Sequence, residues 1–128
     1  MQTKLHTKSK SVRRILIETA DRAIQDWYRS NYKNAPCEVC KKVPFDVMHH
    51  YYPKSQSSFL RFDFRNLIFL CRGCHTKHHL AGNPTIHNII NEKRGEMWRK
   101  ELESEFFRHQ GHKLSDEYLL EQLEKYST

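Results

Sequence analysis

Two Cys-x-x-Cys pairs constrain this chain more than anything else in it. Cys37 and Cys40 flank Glu38-Val39, and about thirty residues later Cys71 and Cys74 flank Arg72-Gly73. Each pair presents two sulfurs across a tight turn, and two such pairs supply the tetrahedral donor set of one ion. Zinc is the expected ion, because it accepts four sulfurs and brings no redox chemistry. With four sulfurs around it the ion keeps no open position, so the site is read as structural. Buried free thiols or an iron–sulfur cluster explain the paired spacing less well. In 128 residues a single domain is expected, with a core small enough for a structural metal to add useful stability. The cysteines also fix topology, since whatever lies between the pairs must leave and return to one point.

Charge narrows the class. Lys and Arg number 22 against 15 Asp and Glu, a formal net charge of +7. Such a balance suits a polyanion binder, because neutralised phosphates release counterions; ordinary solubility charge fits equally well. No apolar run of about 18 residues is present, which excludes a membrane span. The leading MQTKLHTKSKSVRR has no signal-peptide core. A cytoplasmic chain is expected, where reduced thiols favour metal over disulfides. Residues 1–10 read as a basic flexible arm and 11–128 as one domain.

Periodicity then places the elements. From Ser11, a plausible N-cap, Val12, Ile15, Leu16, Thr19, Ala20, Ala23 and Trp27 recur at helical spacing. A second stripe, Ile17, Ile24 and Tyr28, faces either another element of the domain or a partner subunit. Asn34-Ala35-Pro36 closes this helix. Residues 44–50 read as a strand, with Phe45, Val47 and His49 alternating with Asp46, Met48 and His50. Residues 51–65 read as a loop, and Asn66 opens a strand over Leu67-Ile68-Phe69-Leu70 that runs into Cys71. A short helix follows over about 73–80, ending near Gly82. Asn83-Pro84 has the chemistry of a helix start, with Ile86, Ile89 and Ile90 as its apolar face. Further helices are expected over about 96–109 and after Ser115. The fold class is α+β and mostly helical: a hairpin–helix core over 37–82, stapled by a four-cysteine zinc knuckle and flanked by N- and C-terminal helices.

The histidines carry the remaining chemistry. His75 and His79 lie four apart on the short helix, so their rings share a face suited to a metal. His78 is an alternative to His79. His49 or His50 supplies a third ligand from the strand. Adjacent strand residues point to opposite sides, so one of the two is expected to bind metal and the other to act as a base. A second structural zinc without chemistry is the bland alternative.

His49-His50, Asn66, His75 and His79 together resemble the HNH endonucleases, the ββα-metal or His-Me finger superfamily, over about residues 37–80. That resemblance implies His50 as general base, and His49, His75 and His79 as ligands of one catalytic divalent ion (Mg²⁺, Mn²⁺, Ni²⁺ or Zn²⁺). It implies that Asn66 braces the hairpin loop and helps orient the base. A narrower resemblance, to phage recombination nucleases of the NinG (Rap) type, rests on the helix before the first cysteine pair, on Arg61 to Leu67 and on Cys-x-x-Cys followed shortly by Gly82-Asn83. That group tends to carry Asn where this chain has His75. The implied function is phosphodiester hydrolysis in DNA, in a phage or prophage setting of DNA processing or recombination, with branched or nicked DNA as substrate options.

Lys54, Arg61, Arg65, Arg72 and Lys77 surround the site in sequence and are candidates for gripping phosphates. Tyr51, Tyr52 and Phe59 are candidates for packing on sugars or bases, with the core as the alternative for Phe59. No base-reading pattern is present. A homodimer stays open through the spare stripe of the first helix. The competing reading is a zinc-binding nucleic-acid module without catalysis.

Overall fold

The computed structural model describes residues 11–81 and 85–127, without the side chains of 79–81 and 85. The basic arm, the Gly82 stop and the Asn83-Pro84 helix start lie outside the described residues. Ser11 caps α1, Val12–Asn31, its hydroxyl accepting the backbone N–H of Arg14 at 3.1 Å. The buried face centres on Ala20, Ile24 and Tyr28. The second apolar stripe therefore packs inside the domain, against the same core as Leu16, Ala23 and Trp27. Val12 and Ile15, expected on the buried face, are 81% and 51% exposed. The apolar cover of α1 begins only at Leu16.

A two-stranded antiparallel sheet follows, the only sheet among the described residues: β1, Val47–His50, against β2, Leu67–Leu70. His49 sits opposite Ile68 and His50 opposite Leu67. β1 is shorter than the expected 44–50, because Pro44 pairs with Pro36 in an isolated bridge. The outer edge of β1 is covered by α1. Gln25 donates to the Met48 carbonyl at 3.1 Å and accepts the Met48 N–H at 3.0 Å, imitating a neighbouring strand. Arg29 adds a bond to the Asp46 carbonyl at 2.9 Å.

The segment between the strands, expected as loop, contains two short 3-10 turns, Phe59–Phe62 and Phe64–Asn66. Asn66, fully buried, stitches this loop from inside. Its Oδ1 accepts the Tyr52 N–H at 2.7 Å, and its Nδ2 donates to the carbonyls of Tyr52 and Leu60, both at 3.1 Å.

Four more α-helices complete the described chain: α2, Arg72–Ala81; α3, Thr85–Arg94; α4, Glu96–Arg108; and α5, Asp116–Tyr126. α3 and α4 meet at Gly95, whose φ of 94° is costly for any residue with a Cβ. α5 is capped by Ser115, whose hydroxyl accepts the Tyr118 N–H at 3.1 Å. It runs parallel to α1. Arg13 bonds Asp116 at its start, and Trp27 meets Tyr126 at its end with ring centroids 5.4 Å apart. Two apolar clusters result. One joins α1, α5 and one side of the hairpin. The other joins the cysteines, Ile68 and Leu70 to Ile86 and Ile90 of α3. No helix among the described residues is long and apolar enough to cross a membrane.

Asn66→Ala strands three backbone partners, of which the Leu60 carbonyl is buried, and should destabilise the fold by on the order of 3 kcal/mol. Asn66→Asp keeps the bond to the Tyr52 N–H but loses both donors, and should still cost measurably. Urea unfolding of the three proteins checks the order.

Candidate metal centres and active-site cleft

The four thiols converge. Their sulfurs all lie within 4.8 Å of one another, and Cys40 Sγ is 3.9 Å from Cys71 Sγ. A tetrahedral zinc with bonds of about 2.3 Å sets its sulfurs roughly 3.8 Å apart, so the donor set fits. The local backbone explains the convergence. Lys41 turns the chain with φ 57°, and its N–H returns to the Cys37 carbonyl at 3.0 Å. The Cys74 N–H points at Cys71 Sγ at 3.4 Å. The thiols and their surroundings bias one another's protonation. The backbone N–H of Lys42, with smaller help from neighbouring thiols, draws the Cys40 thiol down to about 7. Burial, then hydrogen bonds with the other thiols, pushes Cys74 up to about 12. The cluster suggests a structural zinc site.

Glu38, inside the first pair, ties this centre to its surroundings. Its carboxylate accepts the Phe69 N–H at 2.7 Å and two bonds from Arg94, at 2.8 and 2.7 Å. Arg94 also reaches the Leu67 carbonyl at 3.0 Å, and Lys93 caps the Glu38 and Val39 carbonyls. The end of α3 is thus fastened to the knuckle and to β2.

A second donor cluster lies on the same face of the hairpin, where His49 is paired with Ile68, in a cleft of about 620 Å³. His49, His78 and His87 each offer a ring nitrogen, all within 4.8 Å of one another. His49 Nε2 and His87 Nε2 are 3.2 Å apart. Nitrogens sharing a tetrahedral ion at about 2.0–2.1 Å sit roughly 3.3 Å apart, so this donor set also fits. His75 lines the same cleft, its ring centroid 5.3 Å from that of His49. The side chain of His79 lies outside the described residues. Burial, followed by the neighbouring His87, His75 and His78, pulls the His49 pKa down to about 3. Burial also lowers His87. Neutral rings present lone pairs, the form in which imidazole ligates metal.

His50 points the other way, as adjacent strand residues must. Its Nε2 lies 2.9 Å from the Arg61 carbonyl. A carbonyl only accepts, so Nε2 carries the proton and Nδ1 the free lone pair. Burial lowers the His50 pKa, and the Arg61 carbonyl partly opposes the shift. The carbonyl is itself held in place. The Arg61 guanidinium grips Asp21 of α1 with bonds of 2.9, 3.2 and 2.6 Å, both side chains about four-fifths buried. His50 lines both the histidine cleft and a smaller cavity of about 360 Å³ shared with Asp21 and Arg61.

The expected phosphate contacts fall into different places. Lys54 lines the histidine cleft and lies 3.5 Å from Asp21. Arg72 and Lys77 are exposed on α2. Arg61 is engaged with Asp21, and Arg65 is paired with Asp63 at 2.7 Å. Tyr51 stacks on His87 at 4.3 Å, Tyr52 on Phe106 at 4.2 Å and Phe59 on His109 at 3.5 Å. Three groups around the cleft were missed in the sequence: His87, Arg29 and Gln25. His87 sits on α3, past Gly82-Asn83-Pro84 in the sequence, and only the fold brings α3 back over β1. Arg29 and Gln25 look like surface residues of an amphipathic helix until the strand edge is placed beside them.

Residues 37–80 match the HNH endonuclease family model. The HNH segment contains the knuckle, both strands, the stitched loop and nearly all of α2; α1 and α3 to α5 lie outside it. No curated protein and no solved structure gives a match. The HNH segment points to nuclease or nucleic-acid-binding function with metal binding, and to a nucleic-acid substrate.

Two outcomes are expected. The purified chain should hold one tightly bound zinc per molecule; Cys74→Ser should lose it and melt at lower temperature, whereas His75→Ala should retain both zinc and fold. Metal analysis with thermal melting reads both. Asp21→Ala should leave Arg61 without its partner, costing on the order of 1.5–3 kcal/mol. In the same variant the His50 Nε2–H resonance should exchange faster with solvent in imidazole NMR spectra.

Proposed function

We propose that this chain is a metal-dependent DNA endonuclease acting through a single-metal HNH mechanism, with His50 as general base. The observation that carries the reading is the pairing of two adjacent histidines with opposite tasks. His49 faces a cluster of imidazoles, while His50 has one nitrogen fixed by a carbonyl and the other free. Within the HNH segment this division separates metal binding from proton transfer.

In the proposed reaction the scissile phosphate lies along the cleft, and Lys54 and Arg29 hold phosphates beside it. His50 Nδ1 accepts a proton from water as its oxygen attacks phosphorus, and Nε2–H stays on the Arg61 carbonyl throughout. Asn66 acts at a distance, holding Tyr52 and Leu60 so that the loop presents Arg61 correctly. His49 and the histidines of α2 would hold a divalent cation, which would supply charge compensation for the phosphate and the leaving oxygen. The sequence resemblance names His75 and His79 among those ligands. Arg72 and Lys77 extend the basic surface along α2. The zinc-bearing knuckle keeps a structural role, fixing where α2 begins. Phage or prophage DNA processing, on branched or nicked substrates, is the setting we favour, and two copies acting together would account for double-strand cuts.

The test is plasmid nicking with Mg²⁺, Mn²⁺ or Ni²⁺. His50→Ala should lower the rate by about 10²–10⁴-fold with DNA binding retained. Catalysis needs neutral His50, and burial lowers its pKa. Activity should therefore persist below pH ~6.5, the ordinary histidine value, and fall only at more acidic pH. A wild-type chain that binds DNA and cuts no plasmid, flap or four-way junction with any of these metals overturns the enzyme reading.

A further inference from the structure

The histidine cleft has a member that neither the family match nor the motif spacing includes. His87 is on α3, beyond the end of the HNH segment at residue 80. We propose that His87 is a direct metal ligand, and that His49, His78 and His87 together take a borderline first-row divalent ion such as Zn²⁺, Ni²⁺ or Co²⁺ in preference to Mg²⁺. The proposal rests on the reading of this cleft as a metal site and names its ligands and its ion class.

Three observations carry it. The first is distance. The three donor nitrogens lie within 4.8 Å of one another, and the His49–His87 separation of 3.2 Å is close to the edge of a tetrahedral imidazole site. The rings come from β1, α2 and α3, so one ion would join three elements.

The second is that His87 is held in place by contacts that do not involve an ion. Ile86 and Ile90 bury the inner face of α3. Tyr51 stacks on the His87 ring with planes 20° apart, and its hydroxyl donates to Asn91 Oδ1 at 2.9 Å. Arg94 anchors the helix end on Glu38. A ring positioned in advance gives up less freedom on binding.

The third is donor chemistry. No carboxylate is among the described residues lining this cleft; its ionisable lining is histidine, Arg29 and Lys54. Mg²⁺ favours oxygen ligands, carboxylates above all, whereas imidazole suits zinc, nickel and cobalt. Three protein ligands leave a fourth position open, as in catalytic zinc sites, and the cleft gives it access to a phosphate oxygen or water. His75, beside the trio, lies close enough to touch a group bound there.

The experiment uses the full chain with one equivalent of zinc already bound at the cysteines. Ni²⁺ is titrated in and followed by calorimetry, with thermal melting as a fold control. Wild type should bind one further equivalent. Loss of an outer-shell partner of a ligand already weakens metal affinity by about 10–100-fold, so removal of a direct ligand should exceed about a hundredfold. His87→Phe, which preserves the stack on Tyr51, should show that loss with an unchanged melting temperature before Ni²⁺ is added. His87→Cys, which restores a donor, should recover most of it. Mg²⁺ should fail to displace Ni²⁺ at equal concentration.

Wild-type affinity in His87→Phe, with loss instead in His75→Ala or His79→Ala, overturns the ligand assignment and marks His87 as a hydrogen-bonding neighbour of His49. Absence of a second Ni²⁺ equivalent in wild type overturns it too. Equal affinity for Mg²⁺ and Ni²⁺ overturns the ion class. The nuclease reading is separable in the same preparations. A wild type that binds Ni²⁺ through His87 yet cuts no DNA sinks catalysis and leaves the ligand standing. A His87→Phe variant that binds and cuts like wild type does the reverse.

Discussion

The convergence of four sulfurs on one point is the constraint on which the rest of the domain depends. The hairpin is only two short strands, too little to stand alone in water. The cysteines pin the turn after α1 to the junction of β2 and α2. Once that junction is fixed, α2 leaves the sheet in one direction and its histidines arrive beside His49. Glu38 carries the same constraint outward, since the residue between two thiols also receives β2 and the end of α3. The thiol cluster therefore sets where the histidine cluster forms.

The hairpin sorts its two histidines by the simplest rule of strand geometry. His49 and His50 face opposite ways, and each side has been furnished differently. The His49 side collects nitrogen donors and has no carboxylate among its described lining. The His50 side holds a carbonyl fixed by a buried ion pair between the loop and α1. Both depend on elements beyond the HNH segment: α3 supplies His87, and α1 supplies Asp21, Gln25 and Arg29. The family motif thus carries the pattern, and the flanking helices carry much of the electrostatics.

What could be read from the sequence follows from how local each signal is. The knuckle, both strands and the five helices were legible because thiol spacing, alternation and capping residues act over a few positions. Ser11 and Ser115 cap where the sequence suggests, and β2 has the expected limits. The buried face of α1 was only half legible, since helical periodicity shows that apolar stripes exist and not which neighbours cover them. Val12 and Ile15 fit the pattern yet lie beyond the reach of the core. His87 and Asp21 could not be read at all. Each owes its role to a partner far away in the chain, His49 and Arg61, and no periodicity reports such a pairing.

The way Gln25 and Arg29 lie along β1 has a consequence for self-association. A bare strand edge offers unpaired amides and carbonyls to any other chain with an extended segment, and is a common starting point for aggregation. Here the N–H and carbonyl of Met48 are already taken by one side-chain amide, and the Asp46 carbonyl by a guanidinium. Side chains from a helix do the work of a third strand without presenting a new edge of their own. A small sheet can then sit close to the surface, beside an open cleft, without inviting further copies to extend it.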